Sequence, residues 1–307
     1  MINNWQDIID KSGIFWQYPV HTEKEFYFQN RFDIAYVGFP WATVLDKGVA
    51  FEQVTEYLKP HVKNRPTLYT CCQHIRFREL IGVLEDLNIS ALYTPHKIEK
   101  EDQIGSVSLI PCPLYAVNVE DSTRNSELND KDYLKIDRKY LYSFMGGLQP
   151  GYLSNIRSEI FKLPQAREIY IENTGGWHFN EMVYSKFQDI NGSKNISPLH
   201  TARTSKYNKV LLDSRFSLCP SGTGPNSIRF WESLAVGAIP ILLSDSLDLP
   251  IDPMWEQTIL RVYERDLSKL DSILSNISAS EETRRRKNCL DVYKKYKNNY
   301  AQLQMDI

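Results

Sequence analysis

Short apolar runs alternate with amphipathic stretches along almost the whole 307-residue chain, and this alternation constrains the fold more than any other feature. A strand covered by helices on both faces reads as a continuous apolar run, whereas the covering helix is apolar along one stripe only. The pattern therefore predicts mostly parallel sheets built from strand–helix units. In the first half, strands are expected at 32–37, 67–72, 91–94 and 107–110, with helices over 49–58 and 77–87. In the second half, strands are expected at 139–145, 168–172, 216–219, 239–243 and 259–262, with helices near 155–162, 203–212, 226–236 and 267–275. Between the two sets lies a polar stretch, 118–135, whose composition reads as an interdomain linker. The expectation is an α/β protein of two Rossmann-like domains, 1–135 and 136–280. One long helix from 281 follows, with Leu290, Tyr293, Tyr296, Tyr300 and Leu303 near one face.

Charge and cysteine usage exclude several function classes. Lys and Arg total 36 against 38 Asp and Glu, a formal charge of −2, so no overall basic field exists to hold a phosphate backbone and no nucleic-acid partner is expected. The five cysteines, Cys71, Cys72, Cys112, Cys219 and Cys289, make neither a Cys-x-x-Cys pair nor an even disulfide framework, which suits a reducing compartment. The first residues lack the basic flank and apolar core of a secretory signal. The longest apolar run, 235–243, is too short to span a bilayer and contains Pro240. These features together predict a cytoplasmic protein with at most peripheral association at the inner face of a membrane.

The chemistry is concentrated in 214–250. An apolar strand breaks at Pro220 into a loop with Ser221, Gly222, Thr223 and Gly224, after which a helix opens at Asn226 or Ser227, both good N-cap types. Small residues let the backbone approach a ligand, and the exposed amides and dipole of a helix start favour a diphosphate there. Arg229 and Glu232 lie three apart on that helix. A guanidinium in this place can fork onto a diphosphate and a carboxylate can accept from a ribose hydroxyl pair, while the plainer reading is a surface ion pair.

The spacing of Ser214, Phe216, Leu218, Pro220, Gly222, Ser227, Arg229, Glu232, Gly237, Ile239, Pro240, Asp245, Leu249 and Pro250 resembles the donor-binding signature of the exostosin-like glycosyltransferases. Upstream, Tyr142-Ser143-Phe144-Met145-Gly146-Gly147 followed by Ile156-Arg157 resembles that family's strand end with an Arg on the next helix. The resemblance covers about the C-terminal half of the chain. It implies a GT-B architecture, two Rossmann-like domains facing across a cleft, and inversion at the anomeric carbon. The nucleotide-sugar, a UDP-sugar by preference, would lie in the second domain, against Gly146, Gly147, Arg157, Arg229, Glu232 and the loop from Ser221 to Ser227. It also implies that the last helix, 281–307, packs back on the first domain. Eukaryotic members are longer and membrane-anchored, so the resemblance further implies a short bacterial type of enzyme that builds a surface polysaccharide or a lipid-linked glycan.

No metal or other cofactor is expected. The one Asp-x-Asp, Asp130-Lys131-Asp132, lies in the polar stretch, and Arg157, Arg229 and a helix start supply the positive charge that a leaving diphosphate needs. The first domain must then hold the glycan acceptor and supply a base, from loops beyond the carboxyl ends of its strands. Gly38 to Asp46 is expected to be such a loop, with Asp46 as first choice for the base and its pKa raised by Trp41 and Phe39 nearby. His74 is the alternative base, and His96 is third in line and an acceptor contact. Phe39, Trp41 and Tyr115 are expected to stack on acceptor sugar rings, although core packing is the commoner fate of such residues. Two other functions fit parts of the pattern. An NAD(P)-dependent oxidoreductase also uses Rossmann halves and a Gly-x-Gly, but Ser227 replaces its third glycine. A nucleotide-sugar-binding scaffold without catalysis would keep the same loop.

Overall fold

Parallel strands form where the apolar runs fall. In the computed structural model, which describes residues 4–63, 65, 67–176 and 198–298, β1 (Leu68–Cys71), β2 (Ile89–Thr94) and β4 (Val107–Pro111) run parallel, and the short β3 (Gln103–Ile104) closes one edge antiparallel. A second, all-parallel sheet has the order β6-β5-β7-β8-β9, from β5 (Tyr140–Gly146), β6 (Ile169–Asn173), β7 (Ser214–Pro220), β8 (Ile239–Leu243) and β9 (Leu260–Arg261). Every residue of β1 and β8 is buried, as strands covered on both faces must be. The α/β class read from the alternation is the observed one.

Helices α1 (Trp5–Ser12), α2 (Thr22–Asn30), α3 (Trp41–Lys47), α4 (Phe51–Val62) and α5 (Ile81–Asp86) contribute to a first apolar core with β1, β2 and β4. A second core gathers β5, β7 and β8 with α7 (Ile156–Ile160), α9 (Ile228–Val236), α11 (Leu270–Ser275) and α12 (Ala279–Asn298). The remaining helices are α6 (Val117–Glu120), α8 (Pro198–Leu212) and α10 (Trp255–Thr258). Among the described residues no helix is long and apolar enough to cross a membrane. All five cysteines are buried free thiols.

Four expectations are corrected. Residues 32–37 make a single bridge, Tyr36 with Tyr69, instead of a strand. The Asp33 side chain takes the Ala35 amide at 2.8 Å and the Tyr69 hydroxyl at 2.7 Å, a local alternative to the ladder that leaves Phe32 72% exposed. The loop expected to run from Gly38 to Asp46 becomes helix α3 from Trp41, closed by Gly48 in the left-handed conformation. The polar stretch 118–135 is no free linker: Leu128 packs against Leu211, Leu212, Val236 and Ala238, and the Arg124 side chain is buried between Asn118 and Thr204. Finally, the last helix packs over its described length on the second core rather than the first. Cys289, Val292, Tyr293 and Tyr296 form its buried face, and Tyr296 stacks on Trp255 with ring centres 5.5 Å apart. Its ties to the first half are polar: Gln29 Nε2 donates to the Lys297 carbonyl at 3.2 Å, the Tyr293 hydroxyl donates to Glu120 at 2.8 Å, and Lys297 pairs with Glu120. Tyr300 and Leu303 lie outside the described residues.

The chain just after β2 joins the two cores. Ile98 bridges Leu247, the Glu99 amide donates to the Ser246 carbonyl at 3.0 Å, and the Asp248 amide donates to the Lys97 carbonyl at 3.1 Å. Lys97 is buried and donates to Asp102 at 2.8 Å and to Asp248. The carboxyl ends of β2, β7 and β8 therefore converge, which is where open α/β sheets hold ligands.

Candidate active site

A cavity of about 430 Å³ opens at this convergence, with walls from both halves of the chain. On the second sheet's side, the Ser221 amide donates to the Leu243 carbonyl at 3.0 Å and the Gly222 amide to the Gly224 carbonyl at 2.9 Å, so the loop turns tightly after Pro220. A Cβ at Gly222 would lie 2.9 Å from Arg157 Nη2, and one at Gly224 would lie 2.7 Å from both His96 Nδ1 and Ile75 Cγ2. Only glycine fits either place without movement of a neighbour.

Arg157 ties two glycine loops together, donating from Nε to the Ser221 carbonyl at 2.9 Å and from Nη1 to the Gly147 carbonyl at 3.1 Å. Burial lowers its pKa to about 10, an effect opposed by Tyr152 and reinforced by the Arg229 charge. The Arg229 guanidinium donates to the Met145 carbonyl and lies over the Phe144 and Tyr207 rings, at 4.7 and 5.1 Å. Glu232 is buried and accepts the Asn118 amide at 3.0 Å and the Tyr207 hydroxyl at 2.7 Å. Burial pushes its carboxyl upward, against the pull of those two bonds and of the Arg229 and Arg124 charges. Arg229 and Glu232 are thus no surface ion pair; each is turned inward with partners of its own. Asn226 holds the helix start: its Oδ1 accepts the Ser227 amide at 2.8 Å and its Nδ2 donates to the Pro95 carbonyl at 2.8 Å. Ser227 precedes α9 without a side-chain capping bond. Gly146, Gly147, Thr223, Asn226 and Ser227 all line the cavity, whereas Ser221 is buried beneath the loop.

Asp46, His74 and His96 line the opposite wall. Asp46, in the last turn of α3, accepts from His74 Nε2 at 2.9 Å and from Gln17 Nε2. Burial raises the Asp46 pKa, but the hydrogen bonds from His74 and Gln17 and the Arg76 charge outweigh it, so the carboxyl lies below its ordinary range. This corrects the expected upward shift. His74 Nδ1 accepts the Arg76 amide at 3.0 Å, so the tautomer that satisfies both contacts is neutral, with its proton on Nε2. Burial lowers the His96 pKa to about 3, and its Nδ1 has no hydrogen-bond partner among the described residues.

Phe39 and Trp41 are corrected from acceptor contacts to core residues. Both are within 1% of complete burial, and Trp41 Nε1 donates to Thr70 Oγ1 at 2.7 Å, so neither ring offers a face to a sugar. Tyr115 packs at a tilt against His21, with ring centres 4.9 Å apart, and does not line the cavity. Gln17 went unnoticed in the sequence, where a lone Gln 29 positions from its partner carries no pattern. Arg203 and Tyr207 on α8 were also missed, although their i,i+4 spacing places them on one helix face toward the cavity. Asp130 and Asp132 lie away from the cavity, and Asp132 pairs with Lys135 at 3.0 Å. Among the described residues no cluster of three His, Cys, Asp or Glu is arranged to hold a metal ion.

Comparison with known proteins places this chain among relatives. The family model of the Exostosin GT47 domain matches residues 87–277. The chain is 29% identical over 130 residues to a probable glucuronosyltransferase of Oryza sativa subsp. japonica, covering 42% of this chain and 30% of that one. It is 31% identical over 115 residues to a probable glucuronoxylan glucuronosyltransferase of Arabidopsis thaliana, covering 37% and 26%. Similarity to the Exostosin-1 homolog of Caenorhabditis elegans is 29% over 192 residues, covering 61% and 48%. The alignments span less than half the length of each of these relatives.

Proposed function

The chain belongs to the exostosin GT47 family, and from that premise we propose that it is an inverting glycosyltransferase, moving a sugar from a nucleotide-sugar to a glycan acceptor, free or lipid-linked. The observation that carries this reading is one cavity walled by the glycine loop, Arg157 and Arg229 on one side and by the Asp46–His74 pair on the other. A diphosphate fits the first wall, since small residues admit its oxygens and two guanidinium groups can offset the charge that develops as it leaves. Glu232 keeps carboxylate lone pairs for ribose hydroxyls beyond those given to Asn118 and Tyr207.

Asp46 is the proposed base. The acceptor oxygen bonds to the anomeric carbon as the bond from that carbon to the diphosphate oxygen breaks. The hydroxyl proton passes to Asp46, and the diphosphate leaves with the electron pair. His74 is the weaker candidate because its one ring lone pair is already given to the Arg76 amide. A carboxylate held by the His74 N–H stays ionised and ready to accept.

Relatives named as glucuronosyltransferases put UDP-glucuronic acid first in a panel of UDP-sugars. Thermal shift and UDP release test the reading; a ligand at about 100 times its dissociation constant stabilises by about 2.7 kcal/mol. Absence of a shift with UDP and with every UDP-sugar overturns the donor assignment, and binding without release in the presence of glycan acceptors favours a scaffold. Turnover is expected to continue in excess EDTA, and loss on chelation reversed by Mn²⁺ removes the metal-free mechanism.

A further inference from the structure

Beneath the acceptor-side wall lies a carboxyl group that the proposed transfer does not use. Glu23 is 1% exposed in the first turn of α2, with no cation bonded to it among the described residues. Its Oε1 accepts two backbone amides, Ala42 at 3.1 Å and Gln73 at 2.9 Å, and its Oε2 shares the Ala42 amide at 3.2 Å. Burial is the largest influence on this group and pushes its pKa up to about 8, against the Gln73 and Ala42 amides. A buried acid with no countercharge is costly to keep, so its position calls for a reason.

The two amides supply one. Ala42 lies in the first turn of α3, one helical turn before Asp46, and Gln73 directly precedes His74. Asp46 and His74 sit on separate segments, 28 residues apart in sequence. Besides their own mutual bond, Glu23 links the two segments that carry them. A second tie runs alongside: the Thr22 amide donates to the Gln73 side-chain oxygen at 2.7 Å, and Thr22 Oγ1 accepts the Tyr115 amide at 2.9 Å. The start of α2 is therefore latched to the end of β1, to the start of α3 and to the chain beyond β4.

We propose that Glu23 is a positioning residue that sets the Asp46–His74 geometry by accepting the Ala42 and Gln73 amides on one oxygen. Its consequence for turnover rests on the reading of Asp46 as the base; its consequence for the pair's geometry does not. The role depends on reach and acceptance rather than on charge. Gln at this position keeps one oxygen at full reach, Asp keeps the carboxyl group but is one methylene shorter, and Leu keeps neither.

The test reads the ¹⁵N shifts of His74 in the full chain, which report the ring tautomer, together with kcat for UDP-sugar turnover and the affinity for UDP. Glu23→Leu is expected to abolish the single Nε2-protonated signature and to lower kcat by about 10- to 100-fold, the cost of a misplaced catalytic group, with UDP affinity unchanged. Glu23→Gln should recover most of the signature and of kcat. Should Glu23→Leu fail to fold, Glu23→Asp takes its place with the same direction of effect. A folded Glu23→Leu or Glu23→Asp protein with the wild-type His74 signature overturns the proposal. So does a Glu23→Gln protein as impaired as the leucine variant, which would mean that the carboxyl group itself matters and reach does not. If Glu23 variants change the signature but Asp46→Asn leaves kcat intact, the positioning inference stands and the assignment of Asp46 as base falls.

Discussion

Arg229 is fixed before any ligand arrives, with one donor on the Met145 carbonyl and its plane against Phe144 and Tyr207. Little side-chain entropy is left to lose on binding a diphosphate, so Arg229→Ala is expected to weaken UDP binding by about 1.5–3 kcal/mol, the range for hydrogen bonds to charged groups. Titration calorimetry measures this directly. Asp46→Asn should instead lower kcat by about 10²–10⁴ while leaving UDP affinity in place. The low Asp46 pKa adds a pH signature. A carboxyl whose folded-state pKa is depressed stays ionised as pH falls, so kcat should hold through the region near 6.5 where a histidine base would fade. It should drop only below the ordinary carboxylate range. A fall in kcat centred near neutral pH would count against Asp46. The sequence pointed to Arg229 and Glu232 because a spaced signature surrounds them. It pointed less well to the environment of Asp46, because Gln17 and His74 are 29 and 28 residues away. Only the folded chain shows whether burial or hydrogen bonding controls that carboxyl.

Among the elements, the turn from β7 into α9 is the most exacting. Gly224→Ala would drive a methyl group into the buried His96 and into Ile75, and is expected to cost about 1–3 kcal/mol through overpacking. Because the loop must move to relieve the clash, UDP affinity should fall with stability, as denaturation and calorimetry on one preparation would show; an unchanged protein would mean that the loop has slack. The centres of β1, β2, β4, β5, β7 and β8 were readable because a doubly covered strand leaves an unbroken apolar run. Residues 34–37 have such a run, but Asp33 just before it diverts the backbone, and periodicity alone does not register a side chain that competes for amides. The final helix was readable as a helix but not in its docking. Its true face turns on Cys289 and Val292 and on the aromatic stack with Trp255, which no one-dimensional pattern announces.

For the whole molecule, the junction after β2 decides how the two cores act together. Lys97 is 3% exposed and held by Asp248 and Asp102, of which Asp102 is 85% exposed. Removing the more sheltered partner leaves the buried ammonium poorly compensated, so Asp248→Ala should cost about 1.5–3 kcal/mol. The exposed partner should contribute less, with Asp102→Ala costing under about 1 kcal/mol. Urea midpoints of the two variants check the order, and equal losses would mean that Lys97 does not clasp the halves. The stretch after β4 bears on how the protein could be dissected. Glu232 stands on the second sheet's helix, yet the amide that meets its carboxylate belongs to Asn118, and Leu114 and Ala116 sit in the second core. A fragment cut at the polar stretch, starting at 136, would lose part of the wall it was meant to isolate. The smallest unit that keeps the second sheet's side of the cavity whole has to start upstream of Leu114, so the boundary that composition suggests and the boundary of the pocket fall at different places along the same chain.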